Sequence, residues 1–433
     1  MPIFIFFLYN FLLNYSYNKN IVFPFKKISI EDFNDIKTIN DLFSFHIYTN
    51  ISMGTPPQIV AHFIDLNDYS FFFKKVLLSF NPSKYCQIQK KYENLENFWY
   101  DSKKSSTFKW DNDNGDDEDE DEGVAKEVFY FNNLENKIIK VDDLRFNIYY
   151  LYINDKLKCG SIGLNYPLQS DLDKNGHIDV LFFTQIKNRD IISEYYYTPI
   201  YEEHNDIFNY NNSLYLGKII FGESPHKFNP EKYKKEDEIV INGKDMNLLI
   251  NEIKFISKNG NYSEENINMK FRFNYGFIRG TNAYKKEIDK IFFNELINRN
   301  LCKVEYLEEN VYINQYYVYS CNNNKEIEKY IKEFPSLFFE IKQYNLTFIL
   351  TYRDLFKIFK DRIYFMVIFR EEKYSTYLVE WVMNDIFLRK YLTSFNYDSK
   401  TISFYRNQVD ETNAKSQILN NKKNTKKEEK KNI

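Results

Sequence analysis

Residues 45–65 read FHIYTNISMGTPPQIVAHFID, and residues 381–393 read WVMNDIFLRKYLT. In the first stretch, two runs rich in β-branched and aromatic residues flank the turn signal Gly54-Thr55-Pro56-Pro57. The spacing predicts two strands folded back on one another, with Asp65 ending the second. Outward from there, strand-like runs recur: NSLYLGKIIFG, MKFRFNYGFI, SLFFEI, LTFILT, IYFMVIF and TISFYR. Helical periodicity is scarcer. Ile288, Ile291, Phe292 and Leu296 recur at helical spacing in AYKKEIDKIFFNELI, and DVLFFTQIKNRDII shows a weaker helical pattern. The expectation is a mostly β chain in two halves with a few short helices.

A length of 433 residues exceeds the usual size of one domain, and 43% hydrophobic residues suffice for real cores. With 58 Lys and Arg against 61 Asp and Glu, the net charge is -3, so the basic excess on which duplex-phosphate binding depends is missing and no nucleic-acid partner is expected. Aromatic residues make up 19% while Gly numbers only 12, a bias like that of AT-rich coding, so single Tyr or Lys clusters carry little signal. Met1–Leu13 (MPIFIFFLYNFLL) is shorter than the roughly 20 residues of a membrane span, so no stable span is expected. It fits the apolar region of a signal peptide, although no Lys or Arg precedes it and no clean small-residue cleavage site follows. Residues 1–22 are therefore expected to be a leader into the secretory pathway or to secretion; the competing reading is a buried N-terminal strand. Sequons at Asn50, Asn211, Asn261 and Asn345 are compatible with that destination.

Four scattered cysteines do not make a disulfide framework, and none has zinc-ligand spacing. Cys302 and Cys321 flank the strand-like run VEYLEENVYINQYYVYS and are the expected bridge; Cys86 and Cys159 read as free thiols. Nine of the twelve residues from Asp111 to Glu122 are acidic, a self-repelling block that reads as a solvated loop. Residues 407–433 end in KKNTKKEEKKNI without apolar periodicity and read as a disordered tail.

The Gly54–Gln58 turn and the strand running into Asp65 resemble the pepsin-like aspartic proteases, including the plasmepsins. In that family this strand, turn and strand lead to Asp-Thr-Gly-Ser. Here Asp65 is followed by Leu66, Asn67 and Asp68. The likeness continues in YDSKKSSTF (100–108), KCGSIGLNYP (158–167, where the family has DGILGLGYP) and YLGKIIFGE, ending at Glu223. WVMNDIFLRKYLT is close to the family's WILGDVFLRKYFT and is the most specific match. The resemblance covers roughly Phe43 to Arg406 and implies a bilobal β fold around a central cleft, with lobes at 43–227 and 228–406. It places the second catalytic loop at Asn274-Tyr275-Gly276, where the family has Asp-Thr-Gly or Asp-Ser-Gly. Asp289 lies within the helical pattern and cannot move into that loop.

A pepsin-type site needs two carboxylates sharing one proton, so that one acts as base on a bound water while the other donates to the substrate carbonyl. Asn274 donates a hydrogen bond but exchanges no proton, so acid and base roles cannot alternate between it and Asp65. Leu66 and Tyr275 stand where the family's loop hydroxyls would be, while Asn67 and Asn384 replace glycines that make close crossings. The family's flap Tyr is expected between Thr107 and Phe129, a window filled by the acidic block, with Trp110 or Tyr130 at its edges as stand-ins. The resulting expectation is a catalytically inactive homologue, a secreted binding or scaffold protein holding a peptide or protein ligand between the lobes. The alternative is an active aspartic endopeptidase with a non-standard dyad completed by a residue such as Asp68. No cofactor is expected, and the sequence sets no oligomeric state. DLDKNGHID (171–179) fits the early positions of a calcium loop, yet Phe182 stands where the bidentate Glu is required, so it reads as a turn. His46, His62, His177, His204 and His226 show no ligand spacing.

Overall fold

The computed structural model describes residues 19–29, 38–43, 45–65, 71–75, 100, 102–111, 123–150, 160–163, 182–201, 216–241, 247–257, 260–273, 275–307, 316–370 and 380–407. Its strands run in chain order as β1 (Ile21–Ser29), β2 (Phe45–Met53), β3 (Gln58–Asp65), β4 (Phe71–Lys75), β5 (Lys109–Trp110), β6 (Gly123–Asn132), β7 (Ile138–Tyr150), β8 (Gly160–Gly163), β9 (Tyr196–Tyr201), β10 (Leu216–Phe221) and β11 (Tyr233–Val240). The second half adds β12 (Leu248–Ser257), β13 (Gly260–Phe271), β14 (Ile278–Arg279), β15 (Cys302–Leu307), β16 (Tyr316–Asn322), β17 (Leu337–Ile341), β18 (Leu346–Leu350), β19 (Phe356–Phe359), β20 (Arg362–Phe365), β21 (Val367–Arg370) and β22 (Glu380–Met383). It closes with β23 (Leu392–Asn396) and β24 (Thr401–Asn407).

These strands form two sheets. The first, of 13 strands, has the order β11-β24-β23-β9-β10-β1-β2-β3-β8-β4-β7-β6-β5; the second, of 11, takes β12 to β22. The first sheet therefore belongs to both halves of the chain, because β11, β23 and β24 join it next to β9. The helical pattern of residues 283–297 forms a continuous helix over 282–298, with one π turn at Asp289–Phe293. The weaker pattern forms the short helix Phe182–Asn188. Cys302 and Cys321 are directly opposite one another on β15 and β16 and form the expected disulfide. Residues 1–18, the DLDKNGHID turn, Cys86, Cys159, Asn112–Glu122 and the tail after Asn407 lie outside the described residues. Among those described, no helix is long and apolar enough to cross a membrane.

β1 begins at Ile21, inside the stretch expected as a leader, and it is a central strand rather than an appendage. It pairs with β10 through residues 21–26 and with β2 through residues 26–29. Ile21, Phe23, Phe25 and Lys27 alternate inward and are all at most 3% exposed. A lysine in that series requires a counter-charge, and Lys27 Nζ donates to Asp385 Oδ2 at 2.8 Å. The ammonium also lies 4.2 Å from the Phe45 ring centroid. Burial pulls the Lys27 pKa down to about 8 despite the attraction of Asp385. Burial pushes the other way on Asp385, but the charges of Lys27 and Arg389 outweigh it and hold this carboxyl below its ordinary value.

Asp385→Asn should therefore cost about 3–5 kcal/mol, because the buried Lys27 ammonium loses its anion and is left beside Arg389. Lys27→Met combined with Asp385→Asn should recover most of that loss in urea unfolding. The pH dependence follows from the two shifts. Asp385 is depressed, so its contribution is complete above the ordinary carboxyl value of 3.8 and is lost as pH falls through its lower folded value. Lys27 is depressed too. Between about 8 and 10.5 the unfolded chain holds a proton that the folded chain has released, so this group's own contribution rises with pH there. Comparing wild type with the double variant across pH isolates both effects.

Candidate functional site

The site is framed by two strand crossings of the same design. In the first half, β3 runs parallel to β8, β8 antiparallel to β4, and β4 parallel to β7. In the second, β13 runs parallel to β22, β22 antiparallel to β14, and β14 parallel to β21. In each, a strand leaves the sheet, loops back two places away, and a later segment is threaded between its two arms. The threaded segments are GSIG of KCGSIGLNYP and EWVM ahead of Asn384, so the two motifs matched in the sequence are the middle strands of the crossings.

Asp65 is the last residue of β3, opposite Gly163 of β8. Asn274 lies outside the described residues, between Phe273 and Tyr275, and Leu66, Asn67 and Asp68 lie outside them too. Ile162 of the first crossing is flanked by Ile64 and Phe71, and Val382 of the second by Lys270 and Arg279.

Packing explains the residues around the second loop. The Gly276 amide donates to the Leu42 carbonyl at 2.9 Å, and a Cβ at 276 would lie 2.4 Å from that oxygen. Leu42 belongs to the short helix Ile39–Phe43, which enters β2. Tyr275 packs on Phe43 with ring centroids 5.5 Å apart, and Phe43 packs in turn on Tyr316 at 5.1 Å. Phe273 contacts Phe395 of β23 at 5.8 Å, linking the loop to the shared sheet. Asn384, expected to disturb a close crossing, caps the helix Asp385–Lys390: its side-chain oxygen accepts from the Ile386 amide at 3.0 Å. Asp289 is held within the helix region, accepting from Tyr319 and, at 2.5 Å, from Lys285.

On the first half, the GTPPQ turn and the SST stretch prove to be partners. Gly54 adopts φ 86°, which glycine tolerates without strain, and donates to Val128 O at 2.8 Å. The Thr55 amide donates to Ser105 Oγ at 3.0 Å, and the Ser106 amide to Thr55 O at 2.8 Å. Below them lies Glu127, 1% exposed, a residue that sequence patterning did not single out. It accepts from Tyr100 and Thr107 hydroxyls and from the Val128 amide at 2.7 Å. The signal was available: Ala125, Glu127, Phe129 and Phe131 alternate on the inward face of β6.

The acidic block joins β5 to β6, so it is the connection of a hairpin. Its first residue, Asp111, is anchored: the amide donates to Val124 O at 2.9 Å, and the carboxylate pairs with Lys126 and with Arg145 Nε at 2.5 Å. Trp110 stands on this hairpin stem, 36% exposed, edge-on to Phe108 at 5.5 Å; Tyr130 lies at the other end of β6, opposite Ser52. His62 is fully buried and donates from Nδ1 to Val60 O at 2.9 Å; burial drives its pKa down to about 3, leaving a neutral core residue.

No protein-family model and no curated protein sequence matches the chain. Among solved structures, the basic 7S globulin from soybean is similar with a TM-score of 0.53 at 11% sequence identity, over 89% of this chain and 94% of that one. At that identity the likeness speaks for the fold, and the fold is the mostly β, pepsin-like bilobal one.

Substitutions at two positions test the packing account. Gly276→Ala should destabilise by at least about 1–3 kcal/mol, since the new methyl meets a backbone carbonyl that cannot rotate away. Asn384→Ala should cost about 1 kcal/mol through loss of the helix cap, and Asn384→Gly only a few tenths. Urea midpoints at constant slope measure each.

Proposed function

We propose that this chain is a pepsin-like aspartic endopeptidase homologue without the catalytic dyad, acting in the secretory pathway as a binding or scaffold protein that holds an extended peptide or a protein partner between lobes at about 43–227 and 228–406. The observation that carries this reading is the pair of equivalent crossings: one ends in Asp65, and the loop of the other contains Asn274 where the family's second Asp belongs. Carboxamide chemistry cannot return the proton that a hydrolytic cycle must pass back and forth.

The loop's packing supports it. The motif residue retained, Gly276, is the one whose side-chain position is filled by Leu42. The residues changed at 274 and 275 are those at which the family's chemistry and a loop hydroxyl would reside, and the change at 384 replaces a crossing glycine; the replacements at 275 and 384 have packing or capping roles of their own. A leader cleaved before Asn20 would keep the contacts of that residue, which is buried and binds the Leu134 amide and Glu223.

Purified wild type should show no peptide hydrolysis between acidic and neutral pH that a hydroxyl-bearing transition-state analogue suppresses. Such analogues bind through both carboxylates of a dyad, and losing one member of a unit that acts together costs on the order of 10⁴-fold in rate. Asn274→Asp alone should restore little, since Leu66, Asn67 and Tyr275 still misplace the groups. Cleavage by wild type that Asp65→Ala abolishes would reverse the assignment and favour a non-standard dyad.

A further inference from the structure

Of the five Asn-x-Ser/Thr sequons, those at Asn50, Asn261 and Asn345 fall on described residues, and the structure treats them differently. Asn50 lies within β2, directly opposite Ala61, and its Ser52 is half-buried opposite Tyr130. Asn261 is the second residue of β13 and, like Ser263, is exposed, but the central residue of its sequon, Tyr262, is buried, and the Ser263 hydroxyl donates to Glu252 at 3.0 Å. Asn345 is unlike both. It occupies the turn between β17 and β18 at φ 49°, ψ 37°, a left-handed conformation that Asn tolerates better than other side-chain-bearing residues. Its amide donates to Lys342 O at 3.1 Å, and both Asn345 and Thr347 are exposed. The turn is held at its base by the Asn251 side chain, which accepts from the Lys342 amide at 2.8 Å.

We propose that Asn345, and neither Asn50 nor Asn261, is the N-glycan acceptor among the described residues; this rests on the secretory reading above. The co-reactant is a lipid-pyrophosphate-linked oligosaccharide. The Asn345 Nδ2 forms a bond to the anomeric carbon and gives up one proton. The anomeric carbon–oxygen bond breaks, and the electron pair leaves with the lipid pyrophosphate. A side chain projecting from an exposed turn can present Nδ2 to so bulky a donor, whereas Asn50, set in the body of a sheet, has neighbouring strands in the donor's path, and the Asn261 sequon has its hydroxyl engaged by Glu252 and its central residue buried. The sugar would stand where β18 begins. Because β18 ends the strand order of the second sheet, a glycan there would also shield that edge from pairing with another chain.

The test uses the full chain behind an added cleavable leader, translated with microsomes so that entry is assured and checked by protease protection. Protected wild type should carry a glycan that peptide N-glycosidase removes, leaving aspartate at 345 by peptide mass. Asn345→Gln should abolish the glycan at this site. Thr347→Val should do the same while keeping the turn's Asn, whereas Thr347→Ser, Asn261→Gln and Asn50→Gln should leave it in place. A protected chain unmodified at Asn345, or a glycan found instead at Asn50 or Asn261, would overturn the proposal. The chain with its own N-terminus, run in parallel, reports separately on entry: its failure to become protected counts against the secretory reading, while the leader-bearing chain still decides the site.

Discussion

A lysine at the inner face of the first strand constrains much of this structure. Lys27 can be buried only where a carboxylate meets it, and Asp385 lies 358 residues further along the chain, at the start of the helix after β22. The pair therefore requires that the first strand, the threaded strand of the second crossing and the helix Asp385–Lys390 be assembled together. Arg389 shares the Asp385 carboxylate at 3.3 Å and lies over the Tyr201 ring, which brings β9 into the same cluster. Taking two charges out of water gains little net stability, but a single partner left behind is costly, so the pair acts more on which arrangement forms than on how stable it is.

The crossings impose a second constraint. When a strand is threaded between the two arms of a loop, the loop backbone must approach its neighbours closely. Such approach is tolerated by glycine, or by a side chain that finds a partner of its own. Both solutions are present. Gly276 leaves room for the Leu42 carbonyl, while Asn384 turns a position of close approach into a helix cap. Aromatic packing fills the remaining space around the second loop, with Phe43, Tyr275 and Tyr316 in one series and Phe273 against Phe395 in another.

The fold was legible because its strongest signals are local. A Gly-Thr-Pro-Pro turn between alternating strands, a helix with apolar residues at helical spacing, and a thirteen-residue motif at 381–393 are each contained in one stretch of chain, and the motif forms a strand, a helix and the start of a further strand. What stayed hidden depends on pairings distant in sequence. Glu127 and Lys27 both sit on inward faces of alternating strands, so their burial could be read. Their partners, Tyr100 and Thr107 in one case and Asp385 in the other, could not be read from the strand alone. The sharing of β11, β23 and β24 with the first sheet was equally hidden, since strand order is set by tertiary packing and not by any run of residues.

A scaffold and its chemistry are separable, and the packing of this chain is compatible with keeping the first while losing the second. The residues that fill space or satisfy a backbone group at the second crossing are tied to neighbours: Gly276 to Leu42, Tyr275 to Phe43, Asn384 to Ile386. Changing any of them disturbs packing, so folding alone is sufficient reason to keep them. A second catalytic carboxylate has no such support. Placed opposite another carboxylate it adds electrostatic repulsion, which a catalytic role justifies and a structural role does not. If this chain hydrolyses no peptides, as proposed above, a carboxamide at position 274 would remove that repulsion, and Asp65 would answer to the register of β3 with β8 rather than to the demands of a shared proton.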